Sequence, residues 1–200
     1  MKRLFVIAAS LVVAAFSAGA QNYINFGYAL PTMTYKYGDT KAESSDSNAL
    51  FLGFSHNFGL SGNFGLEAGL NGLYDFKKTD LIGDVNAKSQ YIGLQVPALF
   101  NYKIDLARDC AVKLFLGPTF AFGLSNKVKS GTDKTNYTID YYEDGAYNRF
   151  GASASAAAAL EWANVIRLKI GYDLGLVDLN KNDNIVEKQN ALVFSLGYMF

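Results

Sequence analysis

From residue 23 to residue 200 the chain repeats with a period of two. Ile24, Phe26, Tyr28 and Leu30 alternate with Asn25, Gly27 and Ala29, and the pattern recurs at Leu50/Leu52/Phe54 and Phe64/Leu66/Ala68/Leu70/Tyr74/Phe76. It returns at Ile92/Leu94/Val96/Phe100/Tyr102, at Val112/Leu114/Leu116/Phe120/Phe122/Leu124 and, in an alanine-rich form, from Phe150 to Trp162. Ile166/Leu168/Ile170/Tyr172/Leu174/Leu176 and Leu192/Phe194/Leu196/Tyr198/Phe200 complete eight segments. Successive side chains of a strand point to opposite faces, so each segment reads as a strand with one apolar face. No charge interrupts those faces. Alanine propensity alone would favour a helix over 152–163, but that would leave seven strands and break the rhythm of the connections.

The connections alternate as well. Short turns are predicted at Gly59–Asn63, Lys103–Cys110 and Ala163–Val165, and polar loops at 36–47, 77–88, 125–148 and 180–189. Short turns at one end and long loops at the other describe an up-and-down meander. An even strand number puts both strand termini at the short-turn end. The expected fold is all-β: an eight-stranded antiparallel up-and-down transmembrane β-barrel over 21–200, as one domain. Pro31, Pro97 and Pro118 fall inside strands, where each removes a ladder donor, and bulges are expected there.

Residues 1–20 read as a cleaved signal peptide. Lys2 and Arg3 form a positive start, Leu4 to Phe16 an apolar stretch, and Ala18-Gly19-Ala20 a small-residue cleavage site. The apolar stretch is shorter than the ~20 residues needed to span a bilayer. Cleavage leaves sixteen bases against eighteen acids.

Alternation does not say which face looks inward. A soluble barrel would turn the apolar face in and bind an apolar ligand; a membrane barrel turns it to lipid. The other face decides. It is rich in Gly, Ala and Ser, and its charges are few: Glu67, Asp75, Lys103, Lys113, Arg149, Glu161, Arg167, Lys169 and Asp173. That suits the narrow lumen of an eight-stranded barrel rather than a wet surface. Aromatics also gather at both ends of the apolar face: Phe58, Phe64, Tyr102, Trp162, Tyr198 and Phe200 at one, Tyr74, Phe76, Phe122 and Phe150 at the other. Two such girdles mark two membrane–water interfaces. With 18% charged residues the chain is also short of solvent-facing charge.

The terminal segment Ala191-LVFSLGYM-Phe200 resembles the C-terminal signal of bacterial outer-membrane barrels. The stretches Leu94-QVPALFN-Tyr102, Leu116-GPTF-Ala121 and Tyr172-DLGLVDL-Asn180 resemble the PorT-like family of small outer-membrane β-barrels, often labelled porin-like. That family often has an aromatic where this chain has Gly93. The resemblance implies an integral protein of the bacterial outer membrane and no particular substrate. It also implies that the assembly machinery reads the terminus, here Phe194, Leu196, Tyr198 and Phe200.

The search for reactive chemistry gives little. One histidine, His56, falls on the lipid face between Phe54 and Phe58 without a nucleophile or carboxylate beside it. One cysteine, Cys110, sits in a short turn with no partner, which excludes a disulfide scaffold or multi-cysteine metal site. Asp178-x-Asn180-x-Asn182 imitates the start of a calcium loop but has Asp183 where glycine is needed and Gln189 where the bidentate glutamate belongs. Equal totals of 18 acidic and 18 basic residues leave no electrostatic footprint for nucleic acid. No cofactor and no enzymatic activity are expected. A lipid-modifying enzyme would need a polar cluster at the lipid-facing rim, and the sequence offers none.

Two constellations carry the functional expectation. Glu67, Lys113, Glu161, Arg167, Lys169 and Asp173 should meet in the lumen, with Glu161 opposite Arg167 across the turn at 163–165, as an ion-pair network that plugs it. An ion or proton pathway is the alternative use of the same charges. Tyr137, Tyr141, Tyr142 and Tyr147 in the 125–148 loop suit either a recognition surface or packing at the rim. The expectation is a plugged barrel with a structural or surface-interaction role through its extracellular loops, its partners being outer-membrane lipid, the assembly machinery and an unidentified extracellular partner met through the loops. A small transporter or channel is the first alternative, a soluble periplasmic barrel the second.

Overall fold

The two-residue period becomes a closed wall of antiparallel strands. A computed structural model describes residues 21–44, 47–80, 86–132, 135–182 and 184–200. Ten strands are β1 (Gln21–Tyr37), β2 (Thr40–Ser44), β3 (Asn48–Ser61), β4 (Phe64–Asp80), β5 (Asn86–Ala107), β6 (Cys110–Thr132), β7 (Thr135–Asp140), β8 (Phe150–Trp162), β9 (Ile166–Gly175) and β10 (Val186–Met199). Eight of them, in the order β1-β3-β4-β5-β6-β8-β9-β10, pair in sequence, and β10 returns to β1 from Tyr23↔Met199 to Lys36↔Val186. Closure leaves no open edge, which lipid requires of any β structure that spans it. The alanine-rich segment is strand β8, paired on both sides. The signal segment, residues 1–20, lies outside the described residues, as does 81–85 of the 77–88 loop.

The faces fall as the pattern requires. Phe26, Leu52, Leu70, Phe100, Leu116, Leu168 and Leu196 are each more than half exposed, while Tyr23, Phe51, Leu73, Leu99 and Phe115 are buried inside. A continuous apolar outer wall would be untenable in water but matches hydrocarbon. This overturns the soluble-barrel alternative. Aromatic pairs bound the wall at both ends: Phe64–Tyr102 at 4.8 Å and Tyr198–Phe200 at 6.3 Å at the short turns, Tyr74–Phe76 at 5.8 Å and Phe120–Phe150 at 6.3 Å toward the loops.

Three expectations need correction. The polar stretches 36–47, 77–88 and 125–148 are not all loop: β2 folds back on β1, β4 and β5 stay paired out to Asp80 and Asn86, and β7 folds back on an extended β6, raising the wall beyond the apolar belt. Alternating β-branched and polar residues such as Thr135-Asn-Tyr-Thr-Ile139 pair readily once a neighbour is in place. The predicted turn Lys103–Cys110 is mostly strand, with the reversal at Arg108 and Asp109; Cys110 begins β6 opposite Trp162.

No bulge occurs at Pro31, Pro97 or Pro118. Pro31 keeps its place opposite Ala191. Near Pro97 and Pro118 the ladders omit Gly69–Leu70 and Ala98–Leu99 and then resume in the same register. An inserted residue would flip every later side chain to the wrong face, so a local gap is the milder accommodation. Here the strands also crowd: a Cβ at Gly117 would stand 2.4 Å from the Ala98 carbonyl oxygen. The register does shift between Ile92 and Gly93, opposite Leu124, at the upper limit of the apolar belt. Beyond that point Asn126 and Val128 turn inward and Lys127 and Lys129 turn outward.

Candidate functional site

Two struts cross the lumen near its short-turn end. In an eight-stranded ring β4 lies diametrically opposite β9, and β1 opposite β6. Arg167 on β9 reaches the full width to Glu67 on β4, its Nη1 pairing with Oε2, while Nη2 donates to Asn25 Oδ1 at 2.7 Å. Tyr23 on β1 reaches toward β6, where Lys113 Nζ donates to its hydroxyl at 2.9 Å, and that hydroxyl donates to Glu161 Oε1 at 2.8 Å. Lys113 also pairs with Glu161 at 3.1 Å. The struts start a quarter-turn apart and stack where they cross, the Arg167 guanidinium 3.7 Å from the Tyr23 ring centre. Lys169 adds a contact to Glu67 at 3.6 Å and lies over Phe115.

Burying charges is tolerable only when each is paired and hydrogen-bonded. Glu67, Lys113, Glu161 and Arg167 are all at most 4% exposed, and each has such partners. Asp173, opposite Ser155, has no cation within 4.0 Å among the described residues, and brings the set to three acids and three bases. Glu161 does stand directly opposite Arg167 in the ladder, but the two form no ion pair. Arg167 takes the longer reach because Glu67 would otherwise be buried with only the longer 3.6 Å contact from Lys169.

A second closure lies at the long-loop end. Tyr142, in the segment after β7, drops onto Gly123, and Tyr91 covers the paired Gly93; a Cβ at Gly123 would stand 1.8 Å from the Tyr142 hydroxyl oxygen, and one at Gly93 would stand 2.4 Å from that of Tyr91. Arg149 stacks on Tyr142 at 4.5 Å. The rings of Tyr91 and Tyr142 thus fill the space that an aromatic at position 93 would occupy. Tyr147 packs on Tyr141 at 4.9 Å and donates to Glu187 Oε2 at 2.5 Å. Asn148 N–H bonds the Leu179 carbonyl, and Lys181 N–H that of Ala146, tying the two loops together. Between floor and lid lies a cavity of about 300 Å³, whose lining includes Phe51, Leu73, Asn71, Gln95, Thr119 and Ser155.

Glu187, beyond the apolar belt of β10, is buried with no cation within 4.0 Å among the described residues. Burial pushes its carboxyl above the usual range and nearby Asp178 adds to this, against hydrogen bonds from Tyr147 and Asn180. A carboxyl raised on folding contributes most below its unfolded pKa and loses that contribution as pH rises through the folded value. Protection factors of the Asn148 and Leu179 amides should therefore fall from mildly acid to neutral pH. Glu187→Gln should hold them at the acid level throughout, and Tyr147→Phe should lower them at every pH. Protection rising with pH in the wild type would contradict this.

The structure brings the predicted luminal residues into one lumen and divides the predicted tyrosines. Tyr141, Tyr142 and Tyr147 pack at the rim, whereas Tyr137 on β7 is exposed. Phe194, Leu196, Tyr198 and Phe200 form one outward row, and Phe200 exchanges two backbone bonds with Asn22. His56 has the outward parity expected but is covered, its Nδ1 2.9 Å from Asn22 Oδ1 and its ring edge-on to Phe58. The Asp178-Asn180-Asn182 spacing forms successive Asx turns, each side-chain oxygen accepting the N–H two residues on. Sequence reading missed Tyr23 and Glu187. Both were signalled by odd-numbered, inward parity, Tyr23 at the start of the first predicted strand and Glu187 within the loop predicted at 180–189.

A closed eight-stranded barrel with an apolar outer wall, two aromatic rings and a charged, braced interior is a transmembrane β-barrel. Residues 16–181 match the outer membrane protein beta-barrel domain, and the chain belongs to that family and to the bacterial outer membrane. Similar solved structures include the attachment invasion locus protein Ail of Yersinia pestis, 13% identical over 90% of this chain and 99% of that one, TM-score 0.46. Others are the outer membrane enzyme PagL (12%, 89% and 98%, TM-score 0.48) and OprG of Pseudomonas aeruginosa (11%, 92% and 96%, TM-score 0.47). No curated protein sequence matches the chain.

Proposed function

We propose that this is a non-conducting, non-enzymatic barrel, PorT-like within its family, acting in envelope structure or surface interaction through its long-loop end, which faces the exterior. The observation that carries this reading is the Arg167–Glu67 strut, which spans the full lumen diameter with both side chains buried. Eight strands leave an interior only wide enough for side chains, and the tyrosine lid stands above the floor as a second barrier. At the rim, Tyr137 and Ile139 remain presented on β7, whose only strand partner is β6. The outward row ending at Phe200 suits a terminus that the assembly machinery reads.

Purified protein in planar bilayers should give no stable large-conductance state, and loaded liposomes should retain sugar-sized solutes. Reproducible passage of such solutes would contradict the reading and favour the channel alternative.

A further inference from the structure

Outward-facing lysines collect just beyond the loop-end aromatic ring. The ladder sets Lys88 opposite Lys129 across β5 and β6, both exposed. A second group stands on the far side: Lys36 opposite Lys41 across β1 and β2, with Lys188 two positions below on β10. Like charges directly opposed across a ladder are unfavourable, and nearby acids offset only part of them. Lys41 pairs with Glu43 at 2.7 Å and Lys127 with Asp140 at 3.2 Å. Lys36, Lys88, Lys129 and Lys188 have no acidic partner within 4.0 Å among the described residues. The short-turn end differs: its charges around β5–β6, Lys103, Asp105, Arg108 and Asp109, balance.

Depth gives the collar its meaning. Lys88 precedes by two residues Gln90, which stands opposite Phe76 of the aromatic ring and donates to Tyr74. Two strand residues rise about 7 Å. The lysines therefore stand one step outside the interface that the rings mark, where lipid headgroups lie. We infer that this collar binds the phosphate-bearing headgroups of the lipid leaflet at the long-loop end. The anionic groups supply counter-charge to lysines that have no acidic partner among the described residues, and hold the barrel at fixed depth.

The test compares heat-induced unfolding in nanodiscs of phosphatidylcholine alone and of phosphatidylcholine mixed with phosphatidylglycerol. The wild type should unfold at a higher temperature in the mixture and enrich phosphatidylglycerol around itself, by about fivefold in local affinity per lysine engaged. Lys88→Gln with Lys129→Gln should shrink the lipid dependence in proportion to the two lysines lost and, by relieving the opposed charges, raise the midpoint in phosphatidylcholine alone. Lys103→Gln at the opposite end should leave the lipid dependence intact. Equal wild-type midpoints in the two lipids, or a double variant that keeps the whole difference, would overturn the inference. Inorganic phosphate reproducing the effect in phosphatidylcholine discs would assign the collar to free anions and overturn it equally. A conducting barrel would defeat the proposed function and leave this result standing.

Discussion

Arginine at Ile170 should destabilise the folded barrel by about 2–4 kcal/mol, whereas arginine at Ile166, on the same face of the same strand, should cost about 0–1 kcal/mol. Both side chains point outward and are half exposed. They differ in depth. Ile166 stands between Trp162 and Tyr198 in the short-turn aromatic ring, while Ile170 lies two outward positions higher, between Ala158 and Phe194. A guanidinium reaches headgroups and water from the first position and lies in hydrocarbon at the second. Reversible unfolding from lipid vesicles gives both costs. Equal values would mean that β9 does not cross a bilayer.

Breaking one strut should be as costly. Arg167→Met removes the main partner of Glu67, which is 2% exposed and then retains only Lys169 at 3.6 Å. An uncompensated buried charge of this kind costs about 3–5 kcal/mol. Combining Arg167→Met with Glu67→Leu removes both charges and should recover most of the loss, since well-packed apolar residues often replace a buried pair at little cost. Lys169 then keeps Asp173 as the acid on its own strand. A double variant whose loss equals the sum of the two single losses would show that the residues are not coupled.

Most of the wall was legible because a period of two leaves little freedom: once Phe194, Leu196, Tyr198 and Phe200 share a face, every intervening residue is luminal. The same parity identified Glu67, Lys113, Glu161, Arg167 and Lys169 as companions. It did not identify who pairs with whom. Ladder register speaks of adjacent strands, and Arg167 chose a partner four strands away that register cannot see. The rim was less legible still. The reversed parity of Lys127 and Lys129 depends on one extra residue, Leu124, in β6. Tyr142 docks on Gly123 and Tyr91 on Gly93, and two glycines in different strands do not announce themselves as one notch. The prolines misled for a physical reason: a missing donor can be absorbed by a gap as well as by a bulge.

The account rests on one claim, that the apolar face meets lipid, and Trp162 reports on it directly. It is the chain's only tryptophan, 64% exposed on the outer face in the short-turn aromatic ring. In vesicles containing brominated lipids, bromines placed high on the acyl chains, near the headgroups, should quench its fluorescence strongly. Bromines at the chain ends should quench it less, and aqueous iodide least. Strong quenching by iodide with no effect of brominated lipid at any depth would place Trp162 in water and contradict the assignment of the two faces.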